Sequence, residues 1–565
     1  MTGPTPSAPW VMAVFDGAEL LTRATALWHQ HRGPGPAHWV VACPQAPDAA
    51  TLQALADSDP PVFPSCAAHE QAHWQATWRA LAQSLARTGW GLLPGLHRLR
   101  LHARQSPSPT GARIEHGQPA TTELHLNLIV GNALTESDWP RPSLAAVAGG
   151  ASVLIVGSGL AGAACARALA ERGFDVHVID AGSTPAAGAS GLPVGLVAPH
   201  TSPDDSLISR LSRAGVRAMR EALQRHVRQD TDWGDSGVLE RRLPGKTRKG
   251  GAPQSWSQHW PEAGASWTCA AADATDATQA TDLWHAKGAW VRPAELVRAL
   301  LAHPRIRWQG QTRVTHLRPP ASTASCTDAD GTPTLWQAHT DDGGCLPASQ
   351  VVLACGPHTP RLLRASGLSD AGTPIQPLRG QLSWGLMAEV MHGAAHAPSS
   401  EHDLSHWPRT PVNGNGSFVH SLDTPEGPAW FAGSTFDRTR DTPDLLDADH
   451  HDNFSRLQTL LPEVAQDLQA TFDSGAVRAW AGVRCSVPDR LPMVGRVPHA
   501  PDGLWLCSAL GSRGLTLSVL CGEVLAAQWT GEPPPVEAPL LRALSSERFA
   551  KRSERAATRN DAPLP

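Results

Sequence analysis

The run Val153-Leu-Ile-Val-Gly157-Ser158-Gly159-Leu160-Ala161-Gly162 constrains this chain more than any other stretch. Its short apolar start suits a strand buried on both faces. The GxGxxG spacing that follows suits a tight turn opening a helix. Gly157 allows the turn, Gly159 lets backbone approach a pyrophosphate, and Gly162 lets the helix pack close to the strand. A phosphate there meets the free N–H groups and the positive dipole end of the helix. Residues 160–172 read as that helix and Asp175–Asp180 as the next strand. Asp180 lies 18 residues after Gly162, where a carboxylate can accept hydrogen bonds from a ribose diol. Strand, turn, helix, strand and acid are in register, so the run reads as a dinucleotide site.

Three distant segments favour FAD over NAD. Gly188-Ala189-Ser190-Gly191, with Gly195 beyond it, is a loop of small residues that lets amides approach a flat ring. Val352-Leu-Ala-Cys-Gly356 is a strand ending in small residues. Gly511-Ser512-Arg513-Gly514-Leu515-Thr516 opens a helix whose amides can face an anionic flavin carbonyl. Val314 is assigned to the same cofactor-binding set. One FAD touched by remote parts of the chain accounts for all of them.

At 565 residues the chain can hold two to four domains. Net charge is −5, so contact with nucleic acid needs a local basic patch. The ten cysteines form no CxxC pair, which argues against a zinc or redox site. No uncharged apolar run reaches the ~18 residues that a membrane span needs. A cytoplasmic protein without metal or membrane contact is expected. Residues 1–140 read as a small α/β unit, with a helix near Glu70–Thr88 and a strand over Thr122–Val130. A linker over 141–151 follows, and then a large unit over 152–545. Within that unit, FAD-binding parts are expected at about 152–225, 286–370 and 481–535. Substrate parts fall at about 226–285 and 371–480. Residues 318–350 suggest a hairpin region, 375–440 an antiparallel sheet, and 546–565 a loose charged tail.

Residues 152–545 resemble the FAD-dependent oxidoreductase domain of the MnmC family, the bifunctional tRNA wobble-uridine modification enzymes, within the glycine oxidase and D-amino acid oxidase superfamily. The matching blocks are Gly157–Gly162, Gly188–Gly191, Leu378-Arg-Gly-Gln381, Gly482-Val-Arg484-Cys with Asp489-Arg-Leu-Pro-Met-Val-Gly495, and Ala509–Thr516. The resemblance implies an α/β fold: a Rossmann-like FAD-binding domain, an antiparallel-sheet substrate domain and a small α/β N-terminal remnant. It also implies the substrate, a carboxymethylaminomethyl group on the wobble uridine of tRNA. Oxidation beside the carboxylate, then hydrolysis of the imine, leaves an aminomethyl uridine and glyoxylate, with oxygen as the acceptor. Residues 1–140 are similar to part of that family's methyltransferase domain. They lack a glycine-rich strand–turn–helix loop upstream of Trp90, so S-adenosylmethionine binding and methyl transfer are not expected.

Arg484 occupies the position in Ala-Gly-Val-Arg where glycine oxidase-like enzymes carry a substrate-binding arginine. It is the candidate carboxylate anchor, since a guanidinium fork binds a carboxylate bidentately. Arg513 is the second candidate, for substrate or for a flavin carbonyl. Arg379 leans towards a structural role. His200, His420 and His451 lack companion motifs and are not proposed as catalysts. Arg210, Arg213, Arg217 and Arg220, at helical spacing, and the loop of Arg241, Arg242, Lys246, Arg248 and Lys249 could form cationic surfaces for RNA. Two alternatives stay open: an oxidase of free glycine, sarcosine or a D-amino acid, and a non-catalytic flavin- or tRNA-binding scaffold.

Overall fold

Ser152–Val156 lies inside a six-stranded sheet. The order is Ile306–Gln309, Asp175–Ile179, Ser152–Val156, Gln350–Leu353, Leu504–Ser508 and Met493–Arg496. The first five strands are parallel and the last is antiparallel. Val153, Leu154 and Ile155 are all buried, as a strand covered on both faces requires. This computed structural model describes residues 12–14, 21–26, 37–43, 47–62, 71–102 except 91 and 94, 123–130, 151–242 except 203, 267–270, 282–320, 335–392 and 404–552.

The helix Leu160–Ala170 covers one face of this sheet and packs on the C-terminal helix Gly514–Thr530. The contact is close because both helices present small residues. A Cβ added to Gly522 would come within 2.6 Å of the Ala164 carbonyl oxygen. A second, eight-stranded sheet is built largely from residues 376–386, 412–433 and 478–486. In it Gln376–Leu386 pairs antiparallel with both Gly427–Gly433 and Arg478–Ser486. The stretch expected as a hairpin region is a three-stranded antiparallel sheet of Val314–Arg318, Trp336–Thr340 and Cys345–Ala348.

The N-terminal unit is a four-stranded sheet in the order Met12–Val14, Ala37–Cys43, Glu123–Val130, Gly95–His102. Its helix Gln71–Thr88 buries Trp78, Leu81 and Leu85 against it. On the strand Gly95–His102, Leu99 and Leu101 enter this core, so alternation turns Arg98 and Arg100 to the other face. There they meet Glu523 of the C-terminal helix: Arg100 Nη2 lies 2.9 Å from its carboxylate and Arg98 Nη1 3.4 Å. Arg172 donates to the same carboxylate at 3.0 Å and to Glu532 at 2.8 Å. His38 lies 2.9 Å from Glu532. The surrounding cations hold the Glu523 and Glu532 carboxyls well below the usual range against the opposing effect of burial. Burial, with Arg217 nearby, pushes His97 of the same strand down to about 3.

Two expectations fail here. Arg210, Arg213, Arg217 and Arg220 form no external stripe. Their helix, Leu207–His226, is packed between the two units, and each guanidinium is engaged. Arg210 pairs with Glu537, Arg213 with Asp205 at 2.7 Å and Arg220 with Asp235 at 2.7 Å. Arg217 donates to the carbonyls of Thr88 and Trp90 and stacks on the Trp90 ring. Helical periodicity marks a face but not whether that face is wet or buried. Of the basic loop, Arg241 donates to the Leu460 carbonyl and Arg242 lies 3.7 Å from Glu240, while Lys246, Arg248 and Lys249 lie outside the described residues. The chain beyond Ser545 is also not loose at its start. Ser546 and Arg548 are buried, and Arg548 makes a bidentate contact with Asp489 at 2.9 Å. The linker up to residue 150 and residues 553–565 lie outside the described residues. Among the described residues no helix is long and apolar enough to cross a membrane, and no cluster could hold a metal ion.

Glu523→Ala leaves Arg98, Arg100 and Arg172 short of a counter-charge and should destabilise the fold by about 3–5 kcal/mol, read as a lower Tm. Acid should act in the same direction. His97 is neutral in the fold, so its contribution is complete above its ordinary value of 6.5 and drains away as pH falls towards about 3. The two depressed carboxylates contribute fully above their ordinary value of 4.5 and lose that contribution as pH falls below it. Stability should therefore decline steadily below about pH 6.5; a Tm that stays level from pH 8 to pH 4 contradicts this.

Candidate functional site

Gly157 takes φ +109°, a conformation open to glycine, and a Cβ there would sit 2.6 Å from the Ala354 carbonyl oxygen. A Cβ on Gly162 would fall 1.9 Å from the Gly157 oxygen, so Gly162 sets helix–strand spacing and faces the strand. The helix it serves begins at Leu160 with Gly159 as N-cap, no side-chain cap on that residue, and no acid in its first turn. The helix itself brings no acid to compete with a phosphate. Leu160 and Ala161 are buried, and the Leu160 amide donates to the Ser190 hydroxyl at 2.9 Å. That bond ties the Ala189–Gly191 turn to the start of the helix.

Asp180 has a second task that the sequence pattern did not reveal. It accepts from the Ser158 amide at 2.6 Å, the Ser158 hydroxyl at 2.9 Å and the Gly182 amide at 2.7 Å. An ionised carboxylate has about four acceptor positions, so one remains for a ribose hydroxyl. Val314 begins an edge of the three-stranded sheet at a register shift and is half-buried.

The remaining segments converge on one strand, Arg478–Ser486. A Cβ on Gly482 would lie 3.2 Å from Ala189 Cα, and one on Gly191 would lie 3.9 Å from Trp480 Nε1. One on Gly356 would lie 4.0 Å from Cys485 Sγ, and one on Gly511 3.9 Å from Ser486 Cβ. Turns near 190, 356 and 511 thus surround a single strand. Gly356 and Gly511 both take positive φ, +56° and +59°. Ser512 is exposed, Gly514 half-buried, and Leu515 and Thr516 are buried in the helix that follows. Burial pushes the Cys355 thiol up to about 11, so it stays neutral.

Trp480, Gly482 and Arg484 share one face of that strand by alternation. Arg484 reaches across Gly380, donates weakly to the Thr435 carbonyl at 3.4 Å, and lies 4.8 Å from the centroid of the Phe436 ring. Burial pushes its guanidinium down to about 10, still charged at neutral pH. Among the described residues no carboxylate pairs with it. Arg513 ends the Gly511–Arg513 turn; burial, then repulsion from Arg490, lowers its pKa. Two desolvated cations without acid partners among the described residues, on neighbouring elements, can receive an anion.

Arg379, by contrast, is fully saturated. It donates to Asp449 at 2.6 Å, Gln381 at 3.0 Å and the Asp444 carbonyl at 3.0 Å. It locks the Asp447–Leu460 helix to the sheet and is structural. Of the three histidines, His200 faces the Ser209 hydroxyl, His420 packs on Trp407, and His451 bonds the Asp447 carbonyl. Phe436, half exposed beside Arg484, and Trp480 were missed. Trp480 stands two residues before the Gly482-Val-Arg484 block, which was the available signal. Phe436 stood in no recognisable pattern.

These residues fit FAD: the cradle has room only while Gly157 and Gly162 lack side chains, and the first turn of its helix carries no acid. Residues 152–528 match the family described as FAD dependent oxidoreductase. A protein of Paracidovorax citrulli named tRNA 5-methylaminomethyl-2-thiouridine biosynthesis bifunctional protein MnmC is 47% identical over 72% of this chain and 62% of its own length. A like-named protein of Polaromonas naphthalenivorans is 42% identical over 68% and 58%. The chain therefore spans about three fifths of the length of these curated relatives. Among solved structures, glycine oxidase from Geobacillus kaustophilus aligns with TM-score 0.50 and 19% identity over 69% of this chain and 98% of its own. L-proline dehydrogenase from P. horikoshii aligns with TM-score 0.52 and 13% identity over 72% and 99%. The family match over two thirds of the sequence and the glycine cradle agree: the chain belongs to the FAD-dependent oxidoreductase family, with FAD as its cofactor.

Proposed function

We propose that this protein oxidises the carboxymethylaminomethyl arm of the tRNA wobble uridine and releases an aminomethyl uridine. The observation that carries this reading is Arg484, a buried guanidinium without a carboxylate partner among the described residues, on the strand where the three cofactor turns meet. The relatives named for 5-methylaminomethyl-2-thiouridine biosynthesis support the choice of substrate.

Bound FAD supplies the two-electron acceptor for the C–H bond between nitrogen and carboxylate. The chain's own part is to bind and orient. Arg484 grips the substrate carboxylate with its fork, fixing the adjacent carbon. Arg513 adds positive charge at the head of the Gly514–Thr530 helix, where it holds either the same carboxylate or a flavin carbonyl. In the cradle the Gly159 and Ala161 amides would face the pyrophosphate, while those of Gly157, Ser158 and Leu160, bonded to the Ile179 carbonyl, Asp180 and Ser190, hold the turn in shape. Asp180 would receive the ribose, and Val314 and Gly356 would belong to the residues that hold the cofactor. Ala189, Ser190 and Gly191, with Gly511, Ser512, Gly514, Leu515 and Thr516, would hold the ring. The amine must be neutral when its neighbouring carbon gives up hydride. Water then adds to the resulting C=N bond, releasing glyoxylate and the primary amine. The N-terminal unit is not assigned S-adenosylmethionine.

Arg484→Ala should keep its flavin spectrum and lose about 2–4 kcal/mol of transition-state binding, a fall in kcat/KM that Lys at the same position does not fully restore. Unchanged turnover would remove Arg484 from the site. Nucleoside mass spectrometry on purified protein and tRNA bearing the arm should reveal the aminomethyl product; free glycine or sarcosine turning over in place of that tRNA would favour the free-amine reading. Calorimetry with S-adenosylmethionine should give no saturable heat, and tight binding would show the N-terminal assignment to be wrong.

A further inference from the structure

The site has an aromatic surface that oxidation of a small amine would not need. Phe436 is 51% exposed, one of few large apolar side chains left in water among the described residues. Its backbone is held firmly. Thr435 exchanges hydrogen bonds with Gln381, its amide donating to the carbonyl at 3.1 Å and its hydroxyl accepting from the amide at 3.0 Å. On the far side, Asp437 and Arg379 exchange backbone bonds at 2.8 and 2.9 Å. The ring is therefore presented from both sides by bonds to the Gln376–Leu386 strand.

Two guanidiniums face this ring. Arg484 lies 4.8 Å from its centroid and Arg456, on the helix that Arg379 locks in place, lies 5.8 Å away. No ion pair joins Arg456 to a carboxylate among the described residues. A half-exposed aromatic ring beside cations that pair with no carboxylate among the described residues is a composition that binds a nucleobase by stacking and the adjoining phosphate by charge.

The dimensions agree. Between carboxylate carbon and pyrimidine ring the arm has four bonds of about 1.5 Å each, or about 5 Å when extended. A carboxylate on Arg484 thus places the base within reach of the ring beside that arginine. We propose that Phe436 is the platform on which the pyrimidine base of the substrate stacks, with Arg456 positioned for a neighbouring phosphate. This makes Phe436 the residue that separates a nucleoside-borne arm from a free amino acid. The inference rests on the tRNA reading above.

The test uses the full-length holoenzyme and tRNA carrying the carboxymethylaminomethyl arm, with KM, kcat and equilibrium affinity measured. Phe436→Ala should raise KM roughly tenfold, the loss falling on KM more than on kcat. Phe436→Trp, which restores a π face, should recover the affinity, whereas Phe436→Leu, which restores only apolar volume, should not. FAD content and Tm report whether each variant folds. If Leu serves as well as Trp, or if Ala leaves KM unchanged while the parent protein is active, the platform is refuted and the tRNA reading stands. If the parent protein is inert on this tRNA, both fall together.

Discussion

Everything in the oxidoreductase half depends on how closely backbone can approach backbone around the strand Arg478–Ser486. Four of its residues, Trp480, Gly482, Cys485 and Ser486, are touched or nearly touched by turns that begin almost 300 residues upstream and end about 25 residues downstream. Small residues make this possible. A Cβ on Gly482 would already meet the Trp480 ring at 2.4 Å. The same economy holds at the other end of the site, where Gly162 would collide with Gly157 if it had any side chain. Binding a long cofactor in an extended form requires many amides at its surface, and bulky residues would shield them.

The charges are arranged in two unlike ways. Between the N-terminal unit and the rest, arginines and carboxylates are buried together and satisfy each other. Such a cluster adds little net stability compared with apolar packing, but removing one member is costly. It therefore specifies which surface docks on which. At the candidate site Arg484 and Arg513 are desolvated and pair with no acid among the described residues, and Arg513 is further opposed by Arg490. A protein keeps such an expense where a ligand will meet it.

The nucleotide cradle was legible in the sequence because its requirements fall on contiguous residues: an apolar strand, three glycines at fixed spacing and an acid at the end of the next strand. Arg484 was legible only through its resemblance to a family position, since nothing local in Ala-Gly-Val-Arg says where the side chain points. The ion cluster was not legible. It joins residues 38, 98, 100, 172, 523 and 532, and each looks like an ordinary surface charge in its own segment. For the same reason Arg210–Arg220 resembled an RNA-binding face. Its acidic partners Asp205, Asp235 and Glu537 lie outside the helix, one of them over 300 residues away. Phe436 was hidden because exposure, which gives it meaning, is a property of the folded surface alone.

The helix Gly514–Thr530 joins these two places, its head at the candidate site and its middle in the ion cluster. Arg513 caps its head, and Glu523, ten residues along, is gripped by Arg98 and Arg100 from the N-terminal sheet. Ten residues of helix span about 15 Å, and a packed helix moves as a rod. The N-terminal unit thus bonds to the same helix whose first residues lie at the candidate site. Excising it would leave Arg172 as the cation remaining on Glu523, in place of the three that now surround it.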